Sequence, residues 1–223
     1  MTRDADVRSM AALVHGRYLL QAAEGAGNDA PLLVGCHGYA EGALDHLAAL
    51  RKIPGIERFH LCAVQALHPF YRRDGSVVWN WMTKEDRGQA IEDNIRYVTS
   101  VIVAARRELG AGPRLVLAGF SQGVAMAWRA AVRCGLPCHG LIVLAADVPA
   151  DVAALEPPVL PPVLLGRGTE DSWYSEAKMD ADLETLGRLG ADVTQVVFEG
   201  GHEWHPEFLA ATGTFLDRIA DHP

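Results

Sequence analysis

The chain has 223 residues, 49% hydrophobic and 22% charged, which suits one globular domain spanning 1–223 and leaves little room for a second. Its net charge is −8, with acidic and basic residues interspersed, which argues against a nucleic-acid partner and against an anionic membrane surface. No apolar run reaches the roughly 20 residues of a membrane helix, "MTRDADVRSM" lacks a secretory pattern, and Cys36, Cys62, Cys134 and Cys138 are too scattered for a disulfide framework; the expectation is a cytoplasmic protein with reduced thiols and no integral membrane association.

In chain order, "AALVHGRYLLQAA" holds two short apolar runs around His15-Gly16 and predicts an antiparallel hairpin at one edge. A Gly/Asn/Asp loop follows. Then "PLLVGCHG", "FHLCAVQA", "RLVLAGF", "LIVLAAD", "PPVLLGRG" and "VTQVVFEG" read as short strands, apolar throughout and so covered on both faces. Between them, 41–51, 87–109, 174–190 and 206–220 carry apolar residues at helical spacing; in 87–109 these are Ile91, Ile95, Val98, Ile102 and Leu109. Strands alternating with helices predict an α/β fold with a mainly parallel sheet and right-handed crossovers. "EPPVLPPV" at 156–163 predicts a stiff, extended approach to a strand. The stretch 68–87 has no clear period and several aromatics, and reads as a long excursion off the scaffold.

Chemistry concentrates at Gly119-Phe120-Ser121-Gln122-Gly123. Here a strand passes into a helix with almost no connector, so Ser121 must take a strained backbone while small flanking residues let helix and strand approach closely. The serine then stands at a helix N-terminus, where free N–H groups favour developing negative charge. A serine hydroxyl needs a base, and the base needs a carboxylate. His202 in "FEGGHEW" follows the last strand at the same sheet end; His205, His60 and His15 are poorer placed. Asp171 in "GRGTEDSW" is the preferred acid, with Asp147 in "LAADVP" as the alternative. Two donors for an oxyanion are expected from the N–H groups of Gln122 and of Tyr39, in "GCHGYAEG", with His37 bracing that loop.

With "CHGYAEG", "GFSQGVAMAW", "GRGTEDSW" and "GGHEW" in this order over 32–220, the chain resembles the alpha/beta-hydrolase superfamily, and within it the phospholipase/carboxylesterase group that includes acyl-protein thioesterases. The resemblance implies an alpha/beta-hydrolase fold with helices on both faces of the sheet. It implies Ser121, Asp171 and His202 as a catalytic triad, Tyr39 and Gln122 as the oxyanion hole, and no metal or organic cofactor. Some members of the group dimerise, so a homodimer is one expectation. Val124, Ala145-Ala146 and the 68–87 loop depart from the family pattern and bear on specificity rather than chemistry.

The activity expected is hydrolysis of a small-molecule carboxylic ester, or of a thioester or lysophospholipid, with Phe70, Trp79, Trp81 and Trp173 as candidate substrate-binding residues. Two alternatives stand beside it. The same triad with peroxide or an alcohol as acceptor gives a perhydrolase or acyltransferase, and the same fold without turnover gives a small-ligand-binding protein. Cys134, Cys138 and His139 supply only three ligands and lack a recognised completing partner.

Overall fold

Among the described residues, 6–25, 29–156 and 160–221, the computed structural model contains nine strands and six α-helices. The strands are β1 (Tyr18–Gln21), β2 (Leu32–Cys36), β3 (His60–Val64), β4 (His68–Tyr71), β5 (Val77–Asn80), β6 (Leu115–Phe120), β7 (Gly140–Leu144), β8 (Val163–Gly168) and β9 (Val193–Phe198). The helices are α1 (Ala43–Leu50), α2 (Arg87–Leu109), α3 (Gln122–Arg133), α4 (Ala150–Ala153), α5 (Glu176–Arg188) and α6 (Pro206–Asp221). Seven strands form one sheet in the order β1-β3-β2-β6-β7-β8-β9, in which only β1 runs antiparallel to its neighbour.

The alternation of side chains along each strand sorts the core into two layers. Leu115 and Leu117 of β6, with Leu32 and Val34 of β2 and Leu141 and Val143 of β7, pack on the face covered by α2, α3 and α5. Their neighbours Val116, Ala118, Leu33, Ile142 and Leu144 pack on the opposite face against α1 and α6. Because both faces are covered, the central strands must be apolar at every position, which is why they read as continuous runs. Each such buried Leu, Ile or Val stabilises the fold by roughly 1.5–3 kcal/mol.

Three sequence expectations change in detail. The antiparallel edge exists, but as the single strand β1 rather than a hairpin: residues 11–14 are exposed and carry no strand, so the first half of "AALVHGRYLLQAA" finds no partner. The 68–87 excursion is partly regular, since β4 and β5 pair as an antiparallel hairpin closed over 72–76, with the Asp74 carboxylate accepting from both the N–H and the hydroxyl of Ser76. The edge strand β9 is only partly covered, with Val197 exposed. A short α4 after β7 went unread. Residues 157–159 of the proline-rich stretch and 26–28 of the first loop lie outside the described residues. Among the described residues no helix is long and apolar enough to cross a membrane.

Parallel strands bring the loops after β2, β6, β7, β8 and β9 to one end of the sheet. All the residues singled out for chemistry sit there except those of the β4–β5 hairpin, which folds over the same end.

Candidate active site

Two glycines allow α3 to start directly on the sheet. A β-carbon at Gly119 would stand 2.5 Å from Val124 Cα, and one at Gly123 only 2.1 Å from the Cys36 carbonyl oxygen. Both obstacles are backbone, so neither residue has a substitute without moving helix from strand. Ser121 between them takes φ 50°, ψ −123°, a conformation that L-residues rarely adopt. It is held there by its own N–H, which donates to Leu144 O at 2.9 Å, and by its carbonyl, which accepts from Val124 N–H at 3.0 Å. The sequence expectation of strain at this serine is what the backbone shows.

Asp171 and His202 meet although 31 residues separate them. The His202 Nδ1–H donates to Asp171 Oδ2 at 2.8 Å, and the aspartate side chain is fully buried while the imidazole keeps 25% of its surface. The other carboxylate oxygen, Oδ1, accepts the backbone N–H groups of Trp173 at 2.8 Å and Tyr174 at 2.9 Å. With Nδ1 carrying the proton, Nε2 is left as an acceptor. Ser121 and His202 both line one open cleft of about 820 Å³. The alternative acid, Asp147, instead pairs with Lys178 at 3.3 Å and stays half exposed. His205 stacks on Phe198 with ring centroids 4.8 Å apart, and His60 Nδ1 accepts from Ala23 N–H.

The loop after β2 is held from every side. His37 is buried; its Nε2 accepts from Ala66 N–H at 3.0 Å, so Nδ1 carries the proton and donates to Gly38 O at 2.7 Å. Burial lowers the His37 pKa, which keeps this pattern fixed. The Glu41 carboxylate accepts Gly38 N–H at 2.8 Å, and burial pushes its pKa up. Among the described residues the N–H of Tyr39 makes no hydrogen bond, while Ala40 beside it takes φ 59° to turn the chain. The Gln122 N–H, at the first position of α3, has no intrahelical acceptor. Among the described residues both N–H groups are thus unpaired, and Gln122 lines the cleft beside Ser121.

The excursion serves this loop more than it serves the cleft. Ala40 N–H donates to Trp79 O at 2.9 Å and Trp79 N–H to Glu41 O at 3.1 Å, so β5 adds a strand-like bridge to the loop, and Arg72 donates to the Ala40 carbonyl. Trp81 is wholly buried, and its indole N–H donates to His37 O at 2.8 Å. It cannot touch a substrate, which corrects the expectation for this residue. Trp79 covers Gly42, Phe70 stacks on Tyr39 at 5.2 Å, and neither lines the cleft. Of the four aromatics only Trp173, 74% exposed, does so.

Sequence reading missed several supporting groups. The Gln122 side chain bonds the backbone of Trp81 and Met82, and buried Asn94 of α2 donates to Trp81 O at 2.8 Å. Tyr174, after the aspartate, donates its hydroxyl to buried Asp182 at 2.8 Å, which also accepts Val148 N–H and has its pKa raised by burial. Arg129, on the cleft face of α3, is buried and bidentate to Asp151. A polar residue inside an apolar helical stripe, as at Asn94, was the available signal. Cys134 and Cys138 turn their thiols to the carbonyls of Leu136 and Gly140, while His139 Nδ1 accepts Leu115 N–H. Among the described residues no group of His, Cys, Asp or Glu is arranged to hold a metal ion.

A family model described as phospholipase/carboxylesterase matches residues 21–220. The chain belongs to that family. As a member it is a hydrolase acting on ester bonds, with the alpha/beta-hydrolase fold. Similar solved structures include esterase PE8, 24% identical, with a TM-score of 0.75 over 92% of this chain and all of that one. The Bacillus cereus carboxylesterase is 17% identical, with a TM-score of 0.70 over 92% of this chain and 94% of that one. The Zea mays acyl-protein thioesterase 2 is 16% identical, with a TM-score of 0.69 over 92% and 100%. Comparison with curated proteins finds no match.

Proposed function

We propose that this hydrolase is a serine carboxylesterase working through an acyl-enzyme on Ser121. The observation that carries the reading is the 2.8 Å bond from His202 Nδ1 to buried Asp171, with His202 on the same cleft as a serine in a strained strand-to-helix turn. Ser121 Oγ attacks the ester carbonyl carbon while His202 Nε2 takes its proton. Asp171 holds the ring by Nδ1–H and stabilises the imidazolium. The carbonyl oxygen, now an alkoxide, is met by the N–H groups of Tyr39 and Gln122. The tetrahedral adduct collapses, His202 returns the proton to the departing alkoxide or thiolate, and the acyl group stays on Ser121. Water then repeats the attack with His202 as base, freeing the acid and the serine.

Preorganisation supports the assignment of the oxyanion donors. The loop bearing Tyr39 is fixed by His37, Glu41 and the Trp79 bridge, so its N–H needs no rearrangement as charge develops. The four cysteines are free, in keeping with a cytoplasmic setting. Steady-state hydrolysis of p-nitrophenyl acetate and butyrate by wild type and Ser121→Ala tests the reading: the variant should lose roughly 10⁴-fold or more in kcat. Equal rates in the two proteins would remove Ser121 from the mechanism.

A further inference from the structure

The cleft leading away from Ser121 sets charged side chains among apolar ones such as Ile91, Ala125 and Val148. The face of α3 that lines it runs through Gln122, Ala125, Arg129 and Arg133, with the first turns of α2 and the loop after β7 completing the cleft. Four lining residues are Lys or Arg and three are Asp or Glu, which leaves one positive charge in a chain whose net charge is −8. The three acids are all engaged: Asp151 with Arg129 at 2.8 Å, Glu92 with Arg133 at 2.8 Å, and Asp147 with Lys178 at 3.3 Å. The remaining cation, Arg87 at the start of α2, is exposed and among the described residues has no ion pair or hydrogen bond.

A second observation points the same way. Arg129 is 2% exposed, its Nε and Nη2 are taken by Asp151, and its Nη1 is buried with no hydrogen-bond partner among the described residues. A guanidinium has five donors, and leaving the two on Nη1 unsatisfied in a buried site is costly unless an acceptor completes them. Arg129 begins about 12 Å along the α3 axis from Ser121 and lines the same cleft.

From this, and resting on the Ser121 esterase reading, we infer that the substrate is an ester carrying a carboxylate at the end remote from the scissile bond, received by Arg87, Arg129 and Arg133. One uncompensated cation suits a monoanion. A phosphate dianion would face Glu92, Asp147 and Asp151 with too little positive charge to offset them. A neutral alkyl chain could use the apolar lining but would leave the buried Nη1 of Arg129 without an acceptor. Trp173, exposed at the cleft beside His202, offers an apolar surface for the short linker between ester and carboxylate.

The test compares p-nitrophenyl half-esters of straight-chain dicarboxylic acids, from four to eight carbons, with neutral p-nitrophenyl esters of equal carbon number. At the best length the half-ester should exceed its neutral partner about five-fold or more in kcat/KM, and the advantage should shrink as ionic strength rises. In Arg87→Gln and Arg133→Gln the anionic-to-neutral ratio should fall toward one. Neutral esters preferred at every length, or a ratio indifferent to both substitutions, would overturn the inference while leaving the esterase reading intact. Binding of the same half-esters to Ser121→Ala by calorimetry reads the site without turnover. Tighter binding of half-ester than of neutral ester there supports it even if no ester is hydrolysed, and equal or weaker binding rejects it.

Discussion

The side-chain amide of Gln122 is clasped to the backbone of Trp81: its Oε1 accepts Trp81 N–H at 2.9 Å, and its Nε2 donates to the next carbonyl, Met82 O, at 2.9 Å. One residue therefore offers its backbone N–H toward the cleft and uses its side chain to fasten the end of the excursion. Trp81 then passes the constraint to the loop that bears Tyr39 through its indole bond to His37 O. Gln122→Ala keeps the backbone donor but orphans two polar groups at a partly buried position. Urea denaturation should show a loss of about 1–3 kcal/mol, with a smaller effect on kcat than that of any triad substitution.

The two candidate acids differ in what they hold. Asp171→Asn replaces an acceptor by an amide and leaves His202 Nδ1 without its anionic partner, so the wrong tautomer competes. Steady-state kinetics at pH 8 should give a fall of roughly 10³–10⁴ in kcat, by analogy with other Ser-His-Asp triads. Asp147→Asn breaks only a half-exposed pair with Lys178 and should change kcat on a neutral acetate ester by less than about three-fold.

Gly123→Ala tests the packing that creates the nucleophile's turn. The added methyl would meet the Cys36 carbonyl oxygen at 2.1 Å and the His37 carbonyl oxygen at 2.5 Å, and both belong to the strand and loop that lead to Tyr39, the proposed oxyanion donor. The expected outcome is a loss of at least about 1–3 kcal/mol in stability together with a drop in kcat, since relief requires α3 to move away from β2. Unchanged Tm and kcat would contradict the close approach.

His46 gives the fold an acid-sensitive element. It is buried on α1, neither ring nitrogen has a hydrogen-bond partner among the described residues, and burial pushes its pKa down to about 3. The unfolded chain protonates this histidine near pH 6.5 and the folded one does not, so its contribution to stability is intact above pH 6.5 and is lost as pH falls toward 3. His46→Leu removes that proton uptake while roughly keeping volume. The difference in Tm between variant and wild type should grow in the variant's favour from pH 8 to pH 5. A pH-independent difference would show that His46 does not titrate on unfolding.

Much of this architecture was legible because it follows from periodicity. A two-face-covered parallel sheet forces apolar runs, and the α2 stripe through Ile95, Val98 and Ile102 marked that helix at its actual bounds. Ser121, His202 and Asp171 could be read together as candidates because Ser121 directly follows β6 and the other two lie a few residues beyond β9 and β8, and parallel strands bring such positions to one end. The β4–β5 hairpin was less so. Its residues carry little alternating pattern, and its stability comes from long-range bonds to Ala40, Glu41 and His37 that no local signal encodes. For the same reason Trp81 was misread: an aromatic in a loop beside a site looks like a substrate contact, and only tertiary packing shows it to be a buried strut. The first half of the N-terminal hairpin failed because apolar runs need a partner strand, and Ala63 and Val64 of β3 accept Leu19 and Tyr18 only.

The most direct test of the account is labelling with a fluorophosphonate, followed by intact-mass measurement and peptide mapping. The account predicts one adduct, on Ser121, forming at neutral pH in wild type, absent in Ser121→Ala, and slowed by about 10³-fold or more in His202→Ala. An adduct elsewhere, or labelling of folded wild type no faster than that of Ser121→Ala, would contradict it.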